Sequence, residues 1–256
     1  MSSEISNKVN EHIPKISSIH KVEDEIKLKT DGYIIFNNFL SQSEVNKIKN
    51  KLIKQEGYNA HVPKYSDQVL RKLTPEYAFN VLSYPPIALL NLPIVLNKII
   101  DPHILSLSQA YLGCFPTLYS LNSWWHICKG NTYITQNNHR DYDDFKFLAL
   151  FIYLTDVDET TGPHVFYPGT QDGFESDKSI SITGKAGTAI LADTFAIHRG
   201  QPLQQGSRLV CWWRYGLNVN DMHYHDGNNS FKSSKEHIFS NIPSTLHNEY
   251  LLRAFY

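Results

Sequence analysis

The sequence predicts a mainly β protein with flanking helices and a jelly-roll core, on three observations. From Thr117 to Tyr215, short runs rich in aromatic and β-branched residues recur between Gly, Pro and Asp turns, with almost no helical pattern between them. Helical periodicity is concentrated earlier, in Val45, Ile48, Leu52 and Ile53 and again within Pro93 to Leu112. The strand-rich region also carries polar groups unusual for a sheet interior: His139, Asp141, His198 and Arg208.

Composition permits one sizeable core. The chain has 256 residues, 41% of them hydrophobic and 19% charged, ordinary values for a globular protein of the size that all-β barrels reach as one unit. A formal net charge of −1 leaves no electrostatic footprint for nucleic acid or an acidic membrane. Lys47, Lys49, Lys51 and Lys54 read as the solvated face of a helix. Cys114, Cys128 and Cys211 are scattered and odd in number, which suits buried thiols in a reducing compartment better than a disulfide framework. Met1 to Lys21 lacks the apolar core of a signal peptide, and the apolar run Pro85 to Ile100 is broken by prolines and asparagines. A cytoplasmic protein acting on a small molecule, with neither nucleic acid nor membrane as partner, is the expectation; the oligomeric state is not readable.

In chain order, residues 1–28 are expected to form a loosely docked or helical extension. Residues 30–116 should supply a strand and buttressing helices, beginning with Tyr33 to Phe36. Ser41 is placed as a helix N-cap, and Glu44 three residues later completes a capping box. Gly57 to Pro86 reads as loops with a short helix at Asp67 to Leu73. Asp101-Pro102 divides the following apolar stretch into two helices, because an internal proline removes a hydrogen bond and clashes. Residues 117–216 are the jelly-roll core, with strands expected at Leu118 to Leu121, Ser123 to Ile127, Thr132 to Ile134, Phe147 to Leu154, His164 to Tyr167, Ser179 to Ile182, Thr188 to Leu191 and Leu209 to Tyr215. Residues 217–256 lose the strand pattern and are expected to cover the core.

The chemistry is expected between His139 and Arg208. A His-x-Asp tripeptide is weak alone, but on a strand residues i and i+2 share a face, so His139 and Asp141 can reach one metal. His198, from a distant strand, supplies a third ligand, and two His with one carboxylate leave an octahedral face open, as in non-haem Fe(II) oxygenases. Arg208 follows ten residues later, across the turn Gln204 to Ser207, and its planar fork suits the far carboxylate of a chelating keto acid.

With Asp31-Gly32-Tyr33 to Leu40, His139-Arg140-Asp141, Tyr153 to Asp158, Thr161-Gly162-Pro163, Tyr167-Pro168-Gly169-Thr170 and the His198 to Arg208 pair, the chain resembles the phytanoyl-CoA dioxygenase family of Fe(II)/2-oxoglutarate oxygenases over roughly residues 30–216. The resemblance implies a double-stranded β-helix, or cupin-like jelly roll. It implies Fe(II) on His139, Asp141 and His198, 2-oxoglutarate and O2 as co-substrates, Arg208 on the distal carboxylate, and Tyr153 lining the co-substrate pocket. The activity implied is hydroxylation of a small-molecule metabolite with release of succinate and CO2. Retention of Asp141 argues against halogenation. Gly200 departs from the family pattern, which often has a hydroxyl residue there.

Two tandem tryptophan pairs lie on strands, so one of each pair should face inward; Trp124, Trp213 and Arg140 are taken as substrate-side candidates. His164 is expected to be packed or turned outward, and His223-x-His225 to lie in a loop. Two other readings compete: a non-catalytic jelly roll that keeps its metal as a staple, and a zinc hydrolase, which leaves Arg208 without a role.

Overall fold

Residues 33 to 216 pair into two antiparallel sheets, and helices cover the outer face of the larger one. The computed structural model describes residues 19–59, 72–74, 80–130, 134–217 and 240. Its helices are α1 (Val22–Asp31), α2 (Gln42–Leu52), α3 (Pro86–Leu90), α4 (Pro93–Ile99) and α5 (Pro102–Leu112). Its strands are β1 (Tyr33–Phe36), β2 (Val81–Tyr84), β3 (Thr117–Ile127), β4 (Phe147–Tyr153), β5 (His164–Phe166), β6 (Ile180–Ile182), β7 (Ala189–Ala192), β8 (His198–Gly200) and β9 (Ser207–Gly216). The major sheet runs β1-β7-β4-β9-β3-β2 and the minor sheet β6-β5-β8. This is a mainly β jelly roll with flanking helices, as the sequence predicts.

Period-two alternation gives the major sheet two apolar faces. Leu148, Leu150 and Ile152 of β4 and Leu209, Cys211, Trp213 and Tyr215 of β9 pack with Val45, Ile48 and Leu52 of α2 and with the apolar faces of α4 and α5. Tyr153, Val210, Trp212, Ile190 and Ala192 form a second cluster with Phe166 and Ile182 of the minor sheet. In β3 the register shifts between Leu118 and Ser120, leaving Tyr119 as an extra residue. That bulge keeps Leu118 toward the helices while setting Asn122, Trp124 and His126 opposite the inward residues of β9.

The helix starts follow local chemistry. Ser41 caps α2: its hydroxyl accepts from the Glu44 amide at 3.3 Å, and Glu44 accepts from the Ser41 amide at 2.7 Å. A cap contributes about 1 kcal/mol, whereas burying each large apolar side chain contributes about 1.5–3 kcal/mol, so packing places α2 and the cap sets its first turn. Asp101 accepts from the amides of His103 and Ile104, with Pro102 in the first turn, so the interruption is the start of α5.

Several expectations change. Residues 22–31 are a docked helix, with Leu28 fully buried and His20 bonded to Ser106 of α5 at 2.7 Å. The stretch taken for loops, Gly57 to Pro86, contains β2 and ends where α3 begins. All four residues of β2 are buried, so it carries no alternation to mark it. The expected helix at Asp67 to Leu73 falls mostly outside the described residues, and Lys72 and Leu73 are not helical. Thr132 and Tyr133 lie outside them too, and Ile134 opens a single 3-10 turn instead of ending a strand. The two short strands expected at Leu118 to Ile127 are one. Residues 1–18 and, Ser240 apart, 218–256 with His223 and His225 lie outside the described residues. Among the described residues no helix is long and apolar enough to cross a membrane, and Cys114, Cys128 and Cys211 are free thiols, of which Cys211 is buried as expected while Cys114 and Cys128 are half-buried.

One buried carboxyl links the helices to the site-bearing loop. Asp193, 5% exposed, accepts from the Tyr111 hydroxyl at 2.5 Å and the Phe195 amide at 2.9 Å. Burial pushes it up to about 6 against those two bonds, so the folded state prefers it protonated. Its stabilising contribution is full below its unfolded pKa and is lost as pH rises through the folded value, about 3 kcal/mol by linkage. Replacing Asp193→Asn should make the variant gain on the parent as pH rises from about 4 to 6.5, read as diverging thermal unfolding midpoints; parallel curves refute it.

Candidate metal and keto-acid site

The site lies between the sheets. His139 and His198 pair through the main chain, each amide donating to the other's carbonyl at 3.0 Å. The Asp141 amide donates to the Thr194 carbonyl at 2.8 Å. Ladder-like pairing thus brings together side chains 59 positions apart. The donor atoms of His139, Asp141 and His198 all fall within 4.8 Å of one another.

Hydrogen bonding orients both imidazoles. His139 Nδ1 donates to the Asn137 carbonyl at 2.8 Å and His198 Nδ1 to the Ala196 carbonyl at 2.9 Å. A carbonyl only accepts, so each Nδ1 carries the proton and each Nε2 is left to ligate. His139 Nε2 lies 3.7 Å from Asp141 Oδ1, and His198 Nε2 lies 3.8 Å from Oδ2. Burial lowers His198 to about 4 against the pull of Asp141, so it is neutral at physiological pH. Burial alone would raise Asp141, but the Arg214 guanidinium and His198 outweigh it and hold the carboxyl at about 2. A neutral imidazole and an ionised carboxylate are the forms that bind a divalent ion.

Inward residues of the major sheet, with His164 and Gly200 of the minor sheet and Thr135, line the rest of a cavity of about 120 Å3, roughly ten times what a single water needs. β9 contributes Arg208, Val210, Trp212 and Arg214. Arg208 is buried; it donates through Nη1 to the Gly162 carbonyl and through Nη2 to His126 Nδ1 at 3.3 Å. Since arginine only donates, His126 accepts through Nδ1 and carries its proton on Nε2. Arg208 Nε is buried with no partner among the described residues. Six residues along the strand, Arg214 Nη2 holds Asp141 Oδ2 at 3.0 Å and Asp143 Oδ2 at 3.2 Å. Trp124 and Trp212 meet edge to face at 4.8 Å, and Phe151 lies 5.9 Å from Trp212.

His139, Asp141, His198, Arg208, Tyr153 and Trp124 all border this cavity. The Tyr153 hydroxyl donates to the Ile182 carbonyl at 2.8 Å and accepts from the His164 amide at 3.1 Å, so its ring is what it offers the cavity. Two candidates are corrected. Trp213 faces the helices, where its indole N–H donates to the Tyr215 hydroxyl at 2.8 Å. With Arg208 inward, the residue four further on is Trp212, and Trp213 must point the other way. Arg140 alternates away from its neighbours: its guanidinium donates to the carbonyls of Thr170, Phe195 and Phe174 and lies over the Phe195 ring at 5.3 Å. It ties two loops together and does not border the cavity. Of the two readings of His164, packed or turned outward, the structure has the first: it is buried and faces inward, its ring parallel to His198 within 9° at 5.3 Å. The sequence offered Trp212 only as the alternative to Trp213 and did not single out His126 or Arg214; the even positions following Arg208 would have marked Trp212 and Arg214.

No family model matches the sequence, and no curated protein matches it. Solved structures do. The non-haem α-ketoglutarate-dependent carbocyclase SnoK from nogalamycin biosynthesis is 15% identical, with 79% of this chain and 86% of that one covered and a TM-score of 0.58. The non-haem α-ketoglutarate-dependent epimerase SnoN of the same biosynthesis is 17% identical over 76% and 82%, at 0.56. HygX from Streptomyces hygroscopicus, with nickel and 2-oxoglutarate bound, is 13% identical over 78% and 88%, at 0.55. The chain has the fold of these enzymes. At such identities the likeness speaks for the fold, and the chemistry rests on this chain's own residues.

Arg214 is the main offset to the burial of Asp141, so Arg214→Met should raise that carboxyl by about two units or more, into the range of pH 4. Protons then compete with metal at higher pH. In nickel titrations between pH 4 and 7, the parent's advantage over the variant should widen as pH falls; a pH-independent ratio would contradict it.

Proposed function

We propose that the chain is an Fe(II)/2-oxoglutarate-dependent oxygenase that hydroxylates a small-molecule metabolite and releases succinate and CO2. One observation carries the reading: a converging His139, Asp141 and His198 set shares its cavity with a buried arginine whose Nε has no partner among the described residues. A structural metal staple gives that arginine no task. A keto acid does, because one carboxylate can take the Arg208 fork while the other end reaches the metal.

The residues fit both groups. Two imidazole Nε2 atoms and a carboxylate suit Fe(II) and leave positions for a chelating acid. Bound iron and keto acid supply the oxidising chemistry, coupling oxidative decarboxylation by O2 to oxidation of the substrate. Arg208, steadied by Gly162 and His126, fixes the acid's orientation. Arg214 and Asp143 hold Asp141 in place, and Trp124, Phe151 and Trp212 form an apolar wall that keeps water from the reacting centre. The motif resemblance supports the phytanoyl-CoA dioxygenase branch within this class. Two of the similar structures contain hygromycin B and nogalamycin RO, which supports a small-molecule substrate.

Protein reconstituted anaerobically with Fe(II), then given 2-oxoglutarate and O2, should form succinate, and His139→Ala should form none. Equal succinate from both, or no iron binding by the parent in the presence of 2-oxoglutarate, sinks the proposal; metal binding without succinate favours the non-catalytic alternative. Arg208→Lys keeps a charge but loses the fork. It should weaken 2-oxoglutarate binding by about ten- to a hundredfold with iron affinity little changed, as measured by titration of the metal-loaded protein.

A further inference from the structure

Among the described residues, His164 is the one buried, cavity-lining imidazole that neither the metal set nor the Arg208 cradle uses. It is 8% exposed, and its Nε2 has no partner among the described residues. Its ring is held between His198 at 5.3 Å and Phe151 at 4.9 Å, and its amide donates to the Tyr153 hydroxyl. The plane is therefore fixed. His164 does not belong to the set of converging donors that could hold a metal.

Its surroundings point to the other end of the cavity. Across the β5–β8 pairing, His164 stands opposite Gly200. A Cβ built at Gly200 would lie 3.5 Å from Arg208 Nη2, an ordinary contact, so the glycine leaves open space beside the guanidinium. An imidazole carries at least one N–H, so this ring can donate a hydrogen bond. A buried ring with an unsatisfied nitrogen is costly unless something pairs with it.

We propose that His164 donates a hydrogen bond to the distal carboxylate of the keto acid, forming with Arg208 a two-residue anchor across the space that Gly200 leaves open. The inference rests on the keto-acid reading above and adds a second residue to it. Arginine supplies charge and a planar fork; the imidazole supplies a donor of fixed direction, selecting an acid with a second carboxylate at that distance.

Nickel-loaded protein, which is redox-inert toward the acid, is titrated with 2-oxoglutarate and with 2-oxovalerate, which keeps the keto-acid head and lacks the second carboxylate. His164→Phe preserves the packed ring and removes the donor; His164→Ala removes both. Both variants should bind 2-oxoglutarate about tenfold more weakly, the effect of losing one hydrogen bond to a charged group, while 2-oxovalerate binding stays within about twofold, below the effect of any such bond. Unchanged 2-oxoglutarate affinity, equal losses for both acids, or a loss in His164→Phe alone, which would mark a steric effect, each overturns the proposal. So does a loss of nickel affinity without any acid, which would place His164's role at His198. If the nickel-loaded parent does not bind 2-oxoglutarate, the keto-acid reading itself fails. If the parent binds it and Arg208→Ala abolishes binding while both His164 variants keep it, only this inference does.

Discussion

Strand β9 has to satisfy two environments at once. One face offers Leu209, Cys211, Trp213 and Tyr215 to the helices, and the other offers Arg208, Val210, Trp212 and Arg214 to the space between the sheets. β4 is registered to it residue by residue, and so is β3 except at the Tyr119 bulge. A slip of one position would drive two guanidiniums into an apolar core and leave four large apolar groups in the cavity. Apolar burial on the helix side therefore fixes which residues meet on the site side, and hydrophobic packing sets the position of the chemistry.

The two arginines are not equivalent. Arg208 is held by a carbonyl and an imidazole, neither of which cancels its charge, so that end of the cavity remains a seat for an anion. Arg214 faces Asp141 and Asp143, and its charge is spent on keeping the metal-side carboxylate ionised and oriented. The cavity is polarised along one strand. A dianionic acid and a divalent cation can therefore lie side by side without leaving a bare charge in a poorly solvated interior.

Much of this could be read from residue order. The triad, the arginine and the jelly-roll class follow from spacing, strand composition and turn chemistry, and the Ser41 cap was visible as a local pattern. Trp212 could have been placed too: an inward Arg208 fixes the parity of the strand, and the choice between the tandem tryptophans follows from it. β2 and His164 were harder. β2 is buried on both faces and carries no alternation. His164 sits beside Pro163 on a three-residue strand, too short for a period to show, and its direction depends on the pairing of β5 with β8. Arg140 misled because adjacency to ligands in sequence reads as proximity in space, whereas a strand turns alternate residues apart.

The Gly162 turn carries a further consequence. Its φ is +79°, and a Cβ there would meet Leu203 Cδ1 at 2.6 Å and the Gln201 carbonyl at 2.7 Å, so the loop leading into β5 tolerates no side chain at that point. The same residue's carbonyl accepts from Arg208. A surface connection and the deepest cation of the cavity thus share one hydrogen bond, and the loop acts as a mechanical stop for the guanidinium. Any lengthening or re-routing of that connection re-aims the arginine, so on the proposed keto-acid reading the span of acid that fits the cavity is set as much by a turn at its edge as by the walls that enclose it.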